Sequence, residues 1–237
     1  MVVLKQEFQN RKKDILEKVI NLYIEKGEPI ASEFLVIRYH LDLSPATIRN
    51  EFEELSKEGY LYKCHISSGR LPTNKALKFF IRNIFERNEI DEWKRRWIKK
   101  IRERLKMLKN LEKVVEFLSE ETKSFSFCYI EDEKAIFKKG LKYIFSSIEE
   151  EIDESELNLL EKVAESLENF DNEIRKLEIK ESPLVYIGKE NPIIKVDNLS
   201  FLLSRPSLER GVFGILGRKR MPYQRNLGLL EAIREII

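Results

Sequence analysis

The sequence predicts an α+β protein with three parts: an N-terminal winged helix-turn-helix domain over residues 1–88, a long amphipathic linker helix over 89–122, and a small α+β domain over 123–237. Three observations lead to this prediction. A helix begins sharply at Ser44-Pro45, and the segment from Lys63 to Arg82 contains five basic residues and no acidic residue. Beyond residue 123, strand-like segments are mixed with helical ones.

The first two predicted helices begin a helix-turn-helix. The first spans about residues 6–25 and ends at Gly27-Glu28-Pro29, because glycine and proline terminate helices. Its inner face consists of Phe8, Ile15, Val19 and Leu22. The second spans Ser32 to His40 and carries apolar residues at helical spacing, namely Phe34, Ile37 and Leu41. Leu41-Asp42-Leu43 then has about the right length for the turn.

The third predicted helix has a defined start and two different faces. Ser44 can accept a backbone N–H as the N-cap, and Pro45 suits the first helical position because its missing N–H would be unpaired there. Apolar residues recur at i, i+4 and i+7 and form a buried stripe of Ile48, Phe52 and Leu55. The same spacing turns other residues outward or sideways, namely Ala46, Arg49, Asn50 and Lys57.

A hairpin and a further helix complete the predicted winged helix. Tyr60-Leu61-Tyr62 and Arg70-Leu71-Pro72 have strand composition, and Ser67-Ser68-Gly69 between them is typical of a turn. The helix that follows, Asn74 to Glu86, has an apolar side of Leu77, Phe80, Ile81 and Ile84. Its other side is cationic and carries Lys75, Lys78 and Arg82.

This arrangement favours binding to duplex DNA. Lysine and arginine can neutralise phosphates, while small polar groups at the start of the recognition helix can approach base edges. Asn50 is suited to adenine and Arg49 to guanine. The predicted DNA-binding residues are Ser44, Pro45, Ala46, Thr47, Arg49, Asn50, Lys57, Lys63, His65, Ser67, Ser68, Gly69, Arg70, Thr73 and Lys75. The alternative is a solvated polar surface of the kind that any three-helix core exposes.

The segment from Asp91 to Thr122 predicts one long amphipathic helix, because apolar residues follow a three-four spacing over many turns. Its apolar seam could pair with the same helix of a second subunit or dock on the downstream domain. Its basic residues could touch DNA beside the site or belong to a solvated helix.

The last part predicts a mixed domain with regulatory or dimerising function. The predicted strands are Phe125–Ile130, Leu184–Ile187, Leu199–Leu203 and Val212–Leu216, and the predicted helices are Ser155–Phe170 and Arg225–Ile236. Gly211, Gly214 and Gly217 are interpreted as tight turns or a bulge, since their spacing lacks the dinucleotide-binding pattern.

Composition argues against several classes of function. The two cysteines and two histidines form no recognisable metal motif, and no nucleophile elbow, P-loop or HExxH motif is present, so we expect no metal, no cofactor and no catalysis. No apolar run approaches the roughly 20 residues that span a bilayer, which predicts a soluble cytoplasmic protein. The net charge of +2 hides a basic segment at 94–113 and an acidic one at 149–178.

Several motifs resemble the HrcA family of heat-shock repressors. In the first half they are Gly27-Glu28-Pro29-Ile30, the segment from Leu41 to Asn50, and the segment from His65 to Thr73. Near the other end, Ile187 to Asn191 and Gly214 to Tyr223 are similar to that family's closing segments. The sequence departs from the family pattern at Glu33, Cys64, Arg218 and Pro222, and its middle is shorter than is usual for the family.

This resemblance implies a homodimer with a winged helix and a reduced GAF-like domain, which binds an inverted-repeat operator upstream of chaperonin genes and is tuned by the GroE chaperonin. A cytoplasmic, nucleoid-associated repressor of heat-shock genes is therefore the first hypothesis. The alternatives are a ligand-gated regulator of other genes and a winged-helix module for protein interaction without a specific DNA target.

Overall fold

The computed structural model describes residues 2–63, 69–104, 110–145, 154–179, 182–207 and 210–235. The chain forms two compact units, Met1–Glu86 and Arg87–Ile237. The α+β class predicted from the sequence is confirmed, because the first unit is mainly helical and the second contains a five-stranded antiparallel sheet.

Helices and one short hairpin make up the first unit. Its elements are α1 (Val2–Lys26), α2 (Ser32–Tyr39), α3 (Pro45–Lys57), β1 (Leu61–Tyr62), β2 (Leu71–Pro72) and α4 (Asn74–Glu86). The two strands are antiparallel, with Leu61 opposite Pro72. Gly27 ends α1 with a positive φ of 78°, and its N–H donates to the Tyr23 carbonyl. The predicted helix stop at this glycine is confirmed.

The core of the first unit follows the predicted stripes, with one exception. The apolar residues of α3 and α4 are buried as expected: Ile48, Phe52, Leu55, Leu77, Phe80, Ile81 and Ile84. Ile15, Val19 and Leu22 of α1 are buried with them, whereas the side chain of Phe8, predicted for the same face, lies outside what the structure describes. The predicted inner face of α2 is wrong, because Leu35 is fully buried whereas Ile37 is 70% exposed. Helix α2 therefore packs Leu35 into the core of the first unit and leaves Ile37 in solvent.

A sheet with helices around it makes up the second unit. In chain order its elements are α5 (Glu89–Arg104), α6 (Leu111–Thr122), β3 (Phe125–Ile130), β4 (Ala135–Lys139), α7 (Lys142–Phe145), α8 (Glu154–Glu168), α9 (Phe170–Lys176), β5 (Leu184–Ile187), a 3₁₀ turn (Gly188–Glu190), β6 (Leu199–Ser204), β7 (Gly211–Arg218) and α10 (Tyr223–Arg234). The strand order is β4-β3-β7-β6-β5. Every neighbouring pair is antiparallel.

The two faces of this sheet differ in chemistry. On one face aromatic rings form the main core, and Phe127 packs edge-on against Phe170 of α9 with 4.9 Å between ring centroids. On the other face buried serines meet α10. Ser200 lies 2.8 Å from the hydroxyl of Tyr223, and Ser204 donates to Glu231 at 2.9 Å. The sheet therefore has an apolar layer on one side and a hydrogen-bonded layer on the other.

Two expectations for this half of the chain are wrong. Residues 91–122 do not form one helix, because Asn110 adopts an extended conformation (φ −149°, ψ 163°) and its side chain accepts from the N–H of Lys113. α6 thus begins anew at this N-cap. The glycines at 211, 214 and 217 lie within β7 instead of in turns. A Cβ on Gly214 would stand 2.2 Å from the Leu202 carbonyl oxygen, so the glycine permits close approach of two strands.

Helix α5 packs within the second unit. Trp97 donates its indole N–H to the Arg225 carbonyl of α10 at 3.1 Å, and Gly228 of α10 lies directly against Trp93. The predicted seam of α5 is therefore covered by the chain's own last helix. Among the helices in the described ranges, none combines the length and the apolar character that crossing a bilayer requires.

Candidate nucleic-acid interface

The candidate interface begins at the capped start of α3. The Ser44 hydroxyl oxygen accepts the backbone N–H of Thr47 at 3.1 Å and lies 2.9 Å from the Thr47 hydroxyl. Pro45 occupies the first turn of the helix. This cap fixes where the helix begins, and hence which side chains lie on its exposed face. Ala46, Arg49 and Asn50 are all exposed there, opposite the buried stripe.

Arg49 is held by the start of α2. Its Nε donates to the Ser32 hydroxyl at 3.4 Å, and its guanidinium lies 3.6 Å from the Glu33 carboxylate. The Arg49 and Glu33 side chains are both well exposed, so water weakens their attraction. A hydrogen-bond acceptor with better geometry, such as the O6 and N7 edge of a guanine or a phosphate oxygen, can therefore replace Glu33 as the partner of Arg49.

The far end of α3 carries a second exposed ion pair. Lys57 donates to the Glu54 carboxylate at 2.8 Å, one turn earlier on the helix. The hydrogen bond from Lys57 lowers the pKa of Glu54, and the bond to Glu54 raises the pKa of Lys57. Lys57 is therefore charged at neutral pH and can attract a phosphate, although Glu54 competes for it.

Backbone hydrogen bonds attach the second strand of the hairpin to the segment before α2. Ile30 and Arg70 exchange N–H to carbonyl bonds in both directions at 2.9 Å. Gly69 lies against this bridge, because a Cβ at residue 69 would stand 2.3 Å from the Ile30 carbonyl carbon. Glycine is thus required at this position by close packing. The predicted contacts His65, Ser67 and Ser68 lie outside the described residues.

Arg70 is turned inward in this structure. The sequence predicts that its side chain grips a phosphate, but the side chain is only 6% exposed and its guanidinium pairs with Glu53 of α3. Its Nε also donates to the Ser56 hydroxyl at 3.2 Å. Lys63 lies 3.6 Å from the same Glu53 carboxylate. The residue after β1 and the residue before β2 are therefore both connected to α3 through one acidic residue.

The contacts of Lys63 and Arg70 with Glu53 place the hairpin beside the exposed face of α3 that carries Arg49 and Asn50. Glu53 follows Asn50 by three residues and Arg49 by four, a spacing that places the three side chains side by side on a helix. Sequence reasoning overlooked Glu53 and noted Glu33 only as a departure from the family pattern. For Glu53 the available signal was its spacing from Asn50 and Arg49, which puts it on the exposed face of α3.

Lys75 and Thr73 lie at the start of α4. Thr73 caps the helix by accepting the N–H of Ala76 at 3.3 Å, and its hydroxyl donates to the Gly59 carbonyl at 2.8 Å. The Lys75 ammonium donates to the Glu58 carbonyl at 2.6 Å and lies 4.3 Å from the centre of the Tyr60 ring. A carbonyl and a ring position the ammonium without neutralising its charge, so its full charge can act on a phosphate.

Comparison with known proteins decides the family. The model of the family described as HrcA protein C terminal domain matches residues 72–227, about two thirds of the chain. The chain belongs to the HrcA family. The match begins in β2 and includes α4 and nearly all of the second unit as far as α10.

Curated HrcA relatives match over part of their length. The heat-inducible transcription repressor HrcA of Roseiflexus castenholzii is 39% identical over 93 residues, which cover 39% of this chain and 26% of the relative. The protein of the same name from Natranaerobius thermophilus is 46% identical over 77 residues, or 32% of this chain and 22% of the relative. The matched part of the chain thus spans about a quarter of the length of these HrcA relatives.

One solved structure shares the fold of this HrcA-family chain over almost its whole length. It is a crystal structure of a hypothetical protein at 2.2 Å resolution, with a TM-score of 0.67, 16% identity and coverage of 95% of this chain and 94% of that one. At this identity the likeness concerns the fold alone.

Proposed function

We propose that this protein is a sequence-specific transcriptional repressor of heat-shock genes that binds an inverted-repeat operator as a homodimer. The curated relatives are named heat-inducible transcription repressors, and this name supports the proposal. In this proposal the protein is a cytoplasmic, nucleoid-associated regulator without catalytic activity. It requires no cofactor, and its partners are double-stranded DNA and a second copy of the chain.

The observation that carries the proposal is the joint face of α3 and the hairpin. α2 and α3 form the helix-turn-helix, and β1 and β2 form the base of the wing. A polar helix face with a capped start fits the width of the major groove, and a cationic wing beside it meets the phosphates. The wing base is attached to this face through Glu53, which gives the two parts a fixed relation.

Each proposed contact follows from the chemistry of its side chain. Asn50 reads adenine by paired hydrogen bonds, and Arg49 reads guanine after it leaves Glu33. The first turn of α3, with Ser44 and Thr47, approaches the DNA backbone. There the positive end of the helix dipole attracts a phosphate. Lys57, Lys63 and Lys75 supply charge without sequence preference. Arg70 contributes indirectly, by holding the wing against α3.

The second unit is proposed to be a reduced GAF-like domain for regulation and dimerisation. This unit has its own core, and its sheet is covered on both sides. Both features suit a domain that pairs with its copy in a second chain and so holds the DNA-binding halves of the two chains at a set spacing. Response to the GroE chaperonin is part of the same proposal and rests on family membership.

Selection of bound duplexes from a random pool tests the proposal. We expect the full-length protein to enrich an inverted repeat, because a symmetric dimer recognises symmetric half-sites. Arg49→Ala should relax the preference at one base pair of each half-site by about 1–3 kcal/mol. Arg38→Ala is the matched control, since Arg38 is another exposed arginine paired with a glutamate.

Two results would argue against a repressor. If Arg49→Ala lost the same affinity for selected and for random DNA, Arg49 would not read a base. Failure to enrich any sequence, together with binding that does not weaken as salt is raised, would favour a module for protein interaction.

A further inference from the structure

A cavity of about 560 Å³ lies in the second unit, beside the end of α9 and the neighbouring strands β3 and β7. Tyr129 and Val212, which are direct partners in the register of these strands, form part of its apolar wall. A volume of several hundred Å³ is typical of sites for small molecules. The cavity is remote in sequence from the residues proposed to bind DNA.

Three arginines line this cavity, and two of them, Arg175 and Arg205, are positioned by backbone carbonyls. Arg205, which follows β6, donates from Nη1 to the Ile179 carbonyl at 3.0 Å. Arg175 of α9 donates from Nη2 to the Lys134 carbonyl at 3.3 Å, and its guanidinium lies 5.7 Å from the centre of the Tyr129 ring. A carbonyl or a ring orients a guanidinium but leaves its positive charge uncompensated.

This arrangement differs from that of most other arginines in the described ranges. Those paired with a carboxylate are Arg11, Arg38, Arg49, Arg70, Arg82, Arg87, Arg96, Arg210, Arg225 and Arg234. Arg175 and Arg205 make no such pair in the described part of the chain, and both line the same cavity. Two guanidiniums that carbonyls position, and that pair with no carboxylate among the described residues, line one cavity, and this arrangement suits an anion.

The acidic residues of the lining add a second requirement. Glu131 is engaged by Arg210 at 3.2 Å, whereas Glu178 lines the cavity without an ion pair in the described residues. A carboxylate accepts hydrogen bonds from hydroxyl groups, as it does with the ribose of a nucleotide. A ligand that suits both features carries a phosphate at one end and hydroxyl groups at the other.

We propose that this cavity binds a small phosphorylated sugar or nucleotide. Arg175 and Arg205 hold the phosphate by charge-assisted hydrogen bonds, and Glu178 accepts from the sugar hydroxyls. Tyr129 and Val212 offer an apolar wall to the carbon skeleton. The site belongs to the second unit and does not depend on whether the first unit binds DNA, so each proposal can fail without the other.

Calorimetric titration of the full-length protein tests the site, with ribose 5-phosphate as the probe and inorganic phosphate and ribose as separate arms. We expect ribose 5-phosphate to bind more tightly than phosphate, and ribose alone to bind weakest. Arg175→Gln and Arg205→Gln should each weaken binding of both phosphate probes by about tenfold or more. Glu178→Gln should weaken ribose 5-phosphate and leave inorganic phosphate unchanged or bound more tightly.

Lys195→Gln is the matched control, because Lys195 is an exposed cation of the same unit outside the cavity lining. Circular dichroism of each variant without ligand establishes folding. If Arg205→Gln does not fold, Arg205→Lys takes its place, since lysine keeps the charge and loses the planar fork. Absence of binding by both phosphate probes would overturn the proposal. Equal binding by the wild-type protein and the arginine variants would overturn it as well.

Discussion

At the scale of single residues, acidic neighbours determine what each cation of the first unit can do. Arg49, Lys57 and Lys63 form exposed ion pairs that water weakens, so each can exchange its carboxylate for a phosphate or a base. Arg70 is different, because its guanidinium is buried and hydrogen-bonded to α3. Exposed cations are therefore available to a ligand, whereas Arg70 stabilises the fold.

Replacement of Arg70 should consequently destabilise the protein. In Arg70→Gln the Glu53 carboxylate loses its buried partner and Ser56 loses a donor, while Glu53 remains 54% exposed and can be rehydrated. We expect the free energy of unfolding to fall by about 1–2 kcal/mol. Denaturant unfolding followed by circular dichroism measures this change.

The matched control for Arg70 is Lys63→Gln, which removes the other cation near Glu53. Lys63 is exposed and 3.6 Å from the carboxylate, so its loss should change stability by no more than about 0.5 kcal/mol. Equal effects of the two substitutions would mean that Arg70 does not act through its buried contacts.

The pair of Glu54 and Lys57 makes a prediction about pH. Because the pKa of Glu54 is lowered in the folded protein, its contribution to stability is present above the unfolded pKa and is lost as pH falls through the folded pKa. Because the pKa of Lys57 is raised, its contribution is present below the unfolded pKa and is lost as pH rises through the folded one. Lys57→Gln should return the Glu54 pKa toward its ordinary value, which a carboxyl-detected NMR titration measures. An unchanged Glu54 pKa would show that Lys57 is not its partner in solution.

Single residues also show which features could be predicted from the sequence. The cap at Ser44 could be predicted, since its partner lies only three residues away. The burial of Arg70 could not, because it depends on a contact 17 residues away in the sequence. Ile37 shows the same limit, since helical spacing alone allowed two faces for α2 and tertiary packing selected the face with Leu35.

At the scale of elements, apolar periodicity predicted α3 and α4 with their buried faces and placed β3 and β5 at their observed bounds. The same periodicity wrongly predicted one helix over 91–122. A three-four spacing can continue across the break at Asn110, because α5 and α6 both present apolar residues to the second unit. β4 was not predicted either. Its sequence, Ala135 to Lys139, is an edge strand with only part of its surface buried and lacks a strong apolar pattern.

The break before α6 predicts the sign of a substitution. Asn110 accepts the Lys113 N–H as an N-cap, so Asn110→Ala should lower the free energy of unfolding by about 1 kcal/mol. Within a continuous helix, alanine would instead be the better helix former and would raise stability by up to about 0.7 kcal/mol. Tryptophan fluorescence during denaturation reports on this unit, since Trp93 and Trp97 are the two tryptophans of the chain and both lie in α5. A gain in stability would mean that α5 and α6 are joined in solution.

At the scale of the whole molecule, the near-neutral net charge of +2 conceals an uneven distribution of charge. A basic segment at 94–113 and an acidic segment at 149–178 both lie within the second unit and largely cancel each other. Screening limits electrostatic reach to about 8 Å at physiological salt, so DNA responds to local charge and not to this sum. The family model covers most of the second unit, whereas the proposed base contacts lie before residue 72, where the prediction rests on local chemistry.

Salt dependence can test the local charge and the dimer together. Each phosphate contact changes the slope of log K against log salt by about 0.9, so Lys75→Gln should flatten the slope by about 1.8 if two chains bind one inverted repeat and by about 0.9 if one chain binds. The reason to choose Lys75 is that a carbonyl and a ring hold its ammonium, which leaves the full charge for a phosphate. Lys195→Gln, in the second unit, should leave the slope unchanged. Titrations of fluorescent operator duplex over a salt series measure all three proteins, and an unaltered slope for Lys75→Gln would remove this residue from the interface.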